Sequence, residues 1–252
     1  MLEIEGLTKF FGGLHAVFGV DLSMKRGEIL GLIGPNGAGK TTFFNLVSGF
    51  LHPTRGRVMF EDHDITNKTP HSIARKGIVR TFQGDNIYPD FTVLENVILS
   101  CHLKPGVGLL ETVLRTPGSR RKDKDILHRS QSILEIVGLE NLADVTARNL
   151  AHGYRRTLGI AIALAAEPRL LLLDEPLGGM NGEEVSKTMK LINRLWEEGI
   201  TILLIEHNMR ATMSLCRRIV VLNFGRKIAE GTSEEIQGNP EVIKAYLGAG
   251  HA

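Results

Sequence analysis

The stretch Gly34-Pro35-Asn36-Gly37-Ala38-Gly39-Lys40-Thr41-Thr42 constrains the fold of this chain more than any other. Ahead of it, Glu28-Ile29-Leu30-Gly31-Leu32-Ile33 is an apolar run of the length of a buried strand. Behind it, Phe43-Phe44-Asn45-Leu46-Val47-Ser48 has the apolar spacing of a helix ending near Gly49. Strand, glycine-rich loop, Lys-Thr and helix, in that order, is the context a phosphate-binding loop requires. Glycines let the loop curl so that successive backbone N–H groups converge on an anion, and the helix N-terminus adds its partial positive charge there. Lys40 is then expected to reach the β- and γ-phosphates, and the Thr41 hydroxyl to ligate Mg²⁺. The spacing predicts a nucleoside triphosphate as ligand.

The remaining composition fits a globular α/β chain. Its 252 residues suffice for a large core, and 42% hydrophobic with 23% charged residues is ordinary for such a protein. A net charge of +2 points to no nucleic-acid partner. Cys101 and Cys216 are far apart, match no metal spacing and read as reduced thiols. No apolar run approaches the roughly 18–20 residues that span a bilayer. Met1-Leu2-Glu3-Ile4-Glu5 lacks a signal-peptide pattern, so a cytoplasmic chain is expected.

Residues 2–30 alternate in short segments, Leu2 to Leu7 and Ala16 to Leu22, that predict half-buried antiparallel strands, with Phe10-Phe11-Gly12-Gly13 as a turn. Pro53-Thr54-Arg55-Gly56 predicts a turn and Arg57-Val58-Met59-Phe60 a strand. Residues 84–149 carry helical patterns at 93–99 and 133–137, and predict a helical subdomain inserted into one nucleotide-binding domain spanning 1–252. The basic stretch Thr116 to Lys122 reads as a solvated loop. Leu170-Leu171-Leu172-Leu173-Asp174 and Thr201-Ile202-Leu203-Leu204-Ile205 predict parallel strands covered on both faces. Between them, 183–198 predicts an amphipathic helix with Val185, Met189, Ile192 and Leu195 inward. Ile219 to Ala229 predicts a closing hairpin, and 242–247 a last short helix.

Asp174 and Glu175 stand at the C-terminal end of a buried strand, where carboxylates serve a phosphate site. Asp174 is expected to hold Mg²⁺, and Glu175 to orient or deprotonate the attacking water.

With these two motifs the chain resembles the ATP-binding cassette ATPases over nearly its whole length. Thr81-Phe82-Gln83 resembles the family's Q-loop, which implies that Gln83 contacts Mg²⁺ and water and senses a transmembrane partner. Glu206-His207 resembles the switch-histidine segment, implying a His207 contact to the γ-phosphate. Leu177 to Asn181 occupies the place of the D-loop, and Phe11 that of the ring that stacks on adenine. The signature Leu-Ser-Gly-Gly-Gln lines up with Leu150-Ala151-His152-Gly153-Tyr154, so Ala151, His152 and Gly153 are expected to meet the nucleotide of an opposite subunit. Ala151 lacks the hydroxyl usual there, which removes a hydrogen bond to a charged group worth about 1.5–3 kcal/mol.

The form Leu-Ala-(aromatic)-Gly and the ending Asn239-Pro240-Glu241-Val242-Ile243-Lys244-Ala245-Tyr246-Leu247-Gly248 resemble the cassettes of bacterial importers of branched-chain and other hydrophobic amino acids. So do Leu114-Arg115-Thr116-Pro117 and Ile205 to Met209. Tyr154, Arg155, Thr157, Gly159 and Ile162 depart from that group's pattern. The resemblance implies an α/β fold: a P-loop core with a mainly parallel sheet, an N-terminal antiparallel β layer and the inserted helical subdomain. It implies hydrolysis of ATP with Mg²⁺ in a dimer with a second copy or a paralogue. It also implies permease subunits as partners, a periplasmic or extracellular binding protein acting indirectly, and a position on the inner face of the cell membrane. Urea, small amides or lipids are alternative cargoes, and a non-transport cassette acting on DNA or ribosomes is a further alternative.

Overall fold

The computed structural model describes residues 1–81, 87–102 and 117–248. Two sheets carry the fold. The first is antiparallel, in the order β2-β1-β4-β5, from β1 (Leu2–Phe11), β2 (Leu14–Met24), β4 (Arg55–Phe60) and β5 (His63–Asp64). The second has the order β10-β9-β3-β8-β7-β6. Its members are β3 (Ile29–Ile33), β6 (Ile78–Arg80), β7 (Leu170–Asp174), β8 (Thr201–Ile205), β9 (Arg218–Asn223) and β10 (Arg226–Gly231). All its pairings are parallel except the edge pair β9–β10.

The continuous apolar runs of β3, β7 and β8 follow from burial on both faces. Successive side chains of a strand point to opposite sides. Leu30, Leu32, Leu170, Leu172, Leu203 and Ile205 accordingly pack toward the antiparallel sheet and α1 (Lys40–Val47). Ile29, Ile33, Leu171, Leu173, Ile202 and Leu204 face the opposite way, into a core built with the helices. That core draws on α3 (Val93–His102), α4 (Pro117–Val137), α5 (His152–Ala165) and α6 (Gly182–Glu197). The remaining helices are α2 (Pro70–Arg75), α7 (Met209–Leu215), α8 (Ser233–Gly238) and α9 (Pro240–Gly248).

Local expectations are corrected at β4, which begins at Arg55 and so takes in half of the turn expected at 53–56, and in three further places. The aromatic pair Phe10-Phe11 ends β1, with Phe10 opposite His15 and Phe11 opposite Leu14, so the turn is Gly12-Gly13 alone. Residues 117–122 of the basic stretch belong to α4, where Pro117 at the first position suits a helix start. The inward face of α6 is Thr188, Leu191, Ile192 and Leu195, with Val185 and Met189 only half-buried. That helix starts in a capping box: the Asn181 side chain accepts from Glu183 and Glu184 N–H, and the Glu184 carboxylate accepts from Asn181 N–H at 2.9 Å.

Candidate functional site

The glycine-rich loop joins β3 to α1, at the C-terminal edge of the parallel sheet. Two of its glycines are dictated by close packing. A Cβ on Gly34 would lie 2.2 Å from the Leu222 carbonyl oxygen, and one on Gly39, at φ +103°, 2.3 Å from that of Ala16. Only a residue without a side chain fits against backbone so closely. The loop is therefore wedged between β9 and β2. Ala38 is buried behind it and its carbonyl accepts from Gly225 N–H at 3.0 Å, while Pro35, Asn36 and Gly37 face outward. Lys40 folds back over the loop, its Nζ donating to the carbonyls of Gly34 at 2.7 Å and Pro35 at 3.0 Å. Thr41 and Thr42, on the first turn of α1, are exposed and half-exposed. Burial lowers the Lys40 pKa, against the charges of Glu175 and Asp174, which raise it. The three groups are thus within reach of one another's charge.

The two neighbouring acids diverge. Asp174, at the end of β7, turns into the protein, its Oδ2 2.7 Å from Nη2 of Arg80 with both side chains buried. Glu175 adopts a left-handed φ of +48°, uncommon for a residue with a side chain and a form of backbone strain that gathers at functional sites. This turn swings its carboxylate outward, where Oε1 lies 2.6 Å from Nε2 of His207, just past β8. Its backbone is held on both sides: N–H donates to the Ile205 carbonyl at 2.9 Å, and its carbonyl accepts from Arg156 of α5 at 2.7 Å.

Glu206 is nearly fully buried, and its carboxylate accepts from the backbone N–H groups of Leu177, His207 and Asn208 at 2.7, 3.1 and 3.4 Å. Burial raises its pKa against those three bonds. One carboxylate thus ties the segment bearing His207 to the segment following Glu175.

Residues 150–154 have other neighbours. Ala151 is the N-cap of α5 and makes no side-chain capping bond. Gly153 is buried against the capping-box glutamate of α6, where an added Cβ would lie 2.4 Å from Glu184 Oε1. The His152 ring lies beside Gly179, within 3.0 Å of where its Cβ would be. Among the described residues, then, the sheet edge brings together Lys40, Asp174, Glu175 and His207. His152 and Gly153 instead rest on the 178–184 segment, and Ala151 is exposed. Phe11 stands at the hairpin end of β1, 46% exposed, with the Lys9 ammonium 5.3 Å from its ring centroid. Gln83, expected at the metal and the attacking water, lies outside the described residues. Arg80, Arg156 and the buried carboxylate of Glu206 were not anticipated from sequence. No spacing rule marks them, because Arg80 meets Asp174 and Asn45, Arg156 the Glu175 carbonyl and Glu206 the Leu177 N–H only once distant segments are brought together.

Comparison with known proteins gives one consistent picture. A family model described as ABC transporter matches residues 17–178, and one described as branched-chain amino acid ATP-binding cassette transporter matches residues 226–252. The high-affinity branched-chain amino acid transport ATP-binding protein BraF of Pseudomonas aeruginosa is 43% identical over 249 residues, 98% of each chain. Among solved structures, the ADP conformation of the ATP-binding cassette MJ1267 superimposes with a TM-score of 0.86 at 32% identity, covering 98% of both chains. A dimeric post-hydrolysis state of the cassette MJ0796, bound to ADP and Pi, superimposes at 0.76 with 26% identity over 92% of this chain and 99% of its own.

Proposed function

We propose that this chain, which belongs to the ABC transporter family of ATPases, is the ATP-hydrolysing subunit of an importer of branched-chain or other hydrophobic amino acids. The observation that carries its chemistry is the Glu175–His207 contact of 2.6 Å beside Lys40 at one sheet edge. The backbone N–H groups of 36–41 and the Lys40 ammonium bind the β- and γ-phosphates, Lys40 exchanging two backbone carbonyls for phosphate oxygens. Glu175 takes the proton of the attacking water, and His207, whose Nε2 holds Glu175 in line before nucleotide arrives, turns its ring N–H to the γ-phosphate once ATP is bound.

Thr41 and Asp174 offer hard oxygen donors, and no group of three metal-ligating side chains exists among the described residues. That set suits Mg²⁺, which keeps waters and is shared with nucleotide phosphates instead of being caged by protein. Bound there, it would neutralise charge developing between the β- and γ-phosphates. Gln83 is proposed as its further contact.

A second copy or a paralogue completes the site. Ala151 and His152, at the start of α5, are exposed and so available to a nucleotide held by another subunit, while Gly153 is buried against Glu184 of its own chain. The dimeric neighbour supports that arrangement. Closure on ATP and reopening after hydrolysis would drive the permease between its two orientations. A groove of about 530 Å³ between the strand β6 and helix α5, lined by Arg80, Ile87, His152, Arg155 and Ile162, is a fitting seat for permease subunits on the inner face of the membrane. No helix among the described residues is long and apolar enough to cross a membrane. A strain lacking this chain should lose uptake of labelled leucine, isoleucine and valine and keep uptake of urea. Unchanged amino-acid uptake would overturn the cargo assignment.

Two further expectations arise here. Phe11→Ala should weaken ATP binding about 5- to 150-fold, the equivalent of roughly 1–3 kcal/mol of base stacking. Because stacking reads no base edge, GTP should compete in the unaltered protein. Strict rejection of GTP would argue for other adenine contacts.

Ala151→Ser adds a hydroxyl at an N-cap that has none. It should raise the melting temperature of the monomer through a cap worth about 0.5–2 kcal/mol. It should also tighten the ATP-bound self-dimer by no more than roughly 1.5–3 kcal/mol, the worth of one charge-assisted hydrogen bond. Sedimentation with and without ATP separates the two effects. An unchanged dimer constant would remove Ala151 from the γ-phosphate.

A further inference from the structure

Arg80 ends β6 and lies opposite Leu172 on the parallel neighbour β7. Its guanidinium reaches forward to Asp174, with Nη2 2.7 Å from Oδ2. Its other arm, Nη1, donates to Asn45 Oδ1 at 2.6 Å and reaches Ser48 Oγ at 3.5 Å, while the plane lies 5.6 Å from the Phe44 ring centroid. The buried ion pair leaves 7% of one side chain and 8% of the other exposed. Asn45 sits four positions after Thr41 on α1, so the two share a helix face. One guanidinium therefore ties the carboxylate of Asp174 to the face of the helix that presents the Thr41 hydroxyl. A second tie comes from the next residue: Asp174 N–H donates to Thr81 Oγ1 at 3.3 Å, and Thr81 N–H to the Leu172 carbonyl at 3.0 Å.

We propose that Arg80 is a positioning residue that makes the cation site conditional on nucleotide. The proposal rests on the assignment of Asp174 and Thr41 to Mg²⁺ made above. The guanidinium holds Oδ2 and leaves Oδ1 as the oxygen available to a cation, which fixes the direction of the ligand. Its charge also cancels that of Asp174. Around the site stand Lys40 and Arg80, both cationic, against Asp174 and a Glu175 already engaged by His207. Among the described side chains the two cations offset these two carboxylates, and the third, Glu206, is spent on backbone N–H groups, so little negative charge is left to attract a divalent cation on its own. The phosphates of a bound nucleotide supply that charge, so metal and nucleotide enter as one unit. A fork pairing both Asp174 and Asn45 suits arginine, whose planar donors lysine does not reproduce even though it keeps the charge.

The test uses Mn²⁺ as the probe, followed by electron paramagnetic resonance, with melting temperature measured in EDTA and in Mg²⁺. The unaltered protein should bind Mn²⁺ only when ATP is present. Arg80→Gln removes the charge but keeps an amide donor for Asp174. It should bind Mn²⁺ without nucleotide at least tenfold more tightly than the unaltered protein, and Mg²⁺ alone should raise its melting temperature. Adding Asp174→Asn should abolish both gains, and Arg80→Lys should leave nucleotide-free Mn²⁺ binding weak. A purely structural arginine would lower the melting temperature equally in EDTA and Mg²⁺ and leave Mn²⁺ affinity unmoved, which overturns the proposal. Tight nucleotide-free Mn²⁺ binding by the unaltered protein overturns it as well, whether or not the variants fold. If Asp174→Asn alone leaves ATP-dependent Mn²⁺ binding intact, the underlying metal assignment fails instead.

Discussion

Lys40→Ala is expected to lose nucleotide binding by a factor of at least 100. The ammonium is held over the loop by two backbone carbonyls, at 2.7 and 3.0 Å, in the place proposed above for phosphate oxygens. Hydrogen bonds to charged groups contribute roughly 1.5–3 kcal/mol each. Two of them, to the β- and γ-phosphates, exceed the roughly 2.8 kcal/mol that a hundredfold affinity change requires. The loss is compounded by what stays behind. Asp174 and Glu175 have lost a neighbouring cation, so an entering polyphosphate meets carboxylates with less compensating charge. Titration with a fluorescent ATP analogue reads this directly, and unchanged affinity would remove the glycine-rich loop from the phosphates. Because the ammonium is partly desolvated, its removal should not itself unfold the protein, and the melting temperature without nucleotide is the control.

Glu175→Gln should keep ATP binding and lower hydrolysis by about 10²–10⁴, the usual contribution of a positioned base. The amide is isosteric and its oxygen still accepts from His207 Nε2 across the present 2.6 Å, so the geometry survives while the basicity does not. ATP should accumulate in a closed dimer, since reopening needs hydrolysis. Rapid-quench assays of bound nucleotide distinguish retained ATP from ADP. Undiminished turnover would move the base elsewhere, with His207 the next candidate, since its Nε2 lies 2.6 Å from Glu175.

The parts of this architecture written in local sequence were those governed by local physics. The apolar runs at 170–174 and 201–205 could be placed because a strand buried on both faces needs no polar alternation. The loop at 34–42 could be placed because anion binding demands glycine, lysine and a helix start together. The short pieces α2 and β6 carry too few residues to show a period, and both were missed. The basic stretch misled because charge argues for exposure, which an exposed helix satisfies as well as a loop does. Arg80 lay one residue before a recognised motif and still gave no signal. Its role depends on β6 lying beside β7, and parallel neighbours are set by long crossovers rather than by nearby residues. Arg156, which reaches the Glu175 carbonyl from α5, belongs to the same class. The divergence of Asp174 and Glu175 likewise needed the left-handed turn at Glu175, which no residue type there announces.

The central claim is that one chain holds the phosphates while another chain's signature segment completes the site. Specific ATPase activity as a function of protein concentration tests it most directly. The account predicts slow turnover per molecule that climbs with concentration, so that total rate rises more steeply than linearly until the dimer saturates. Adding a paralogous cassette with a serine in its signature should raise turnover further at fixed concentration of this chain. A specific activity that stays constant from high dilution upward would show that a single chain completes the site alone, and would contradict the account.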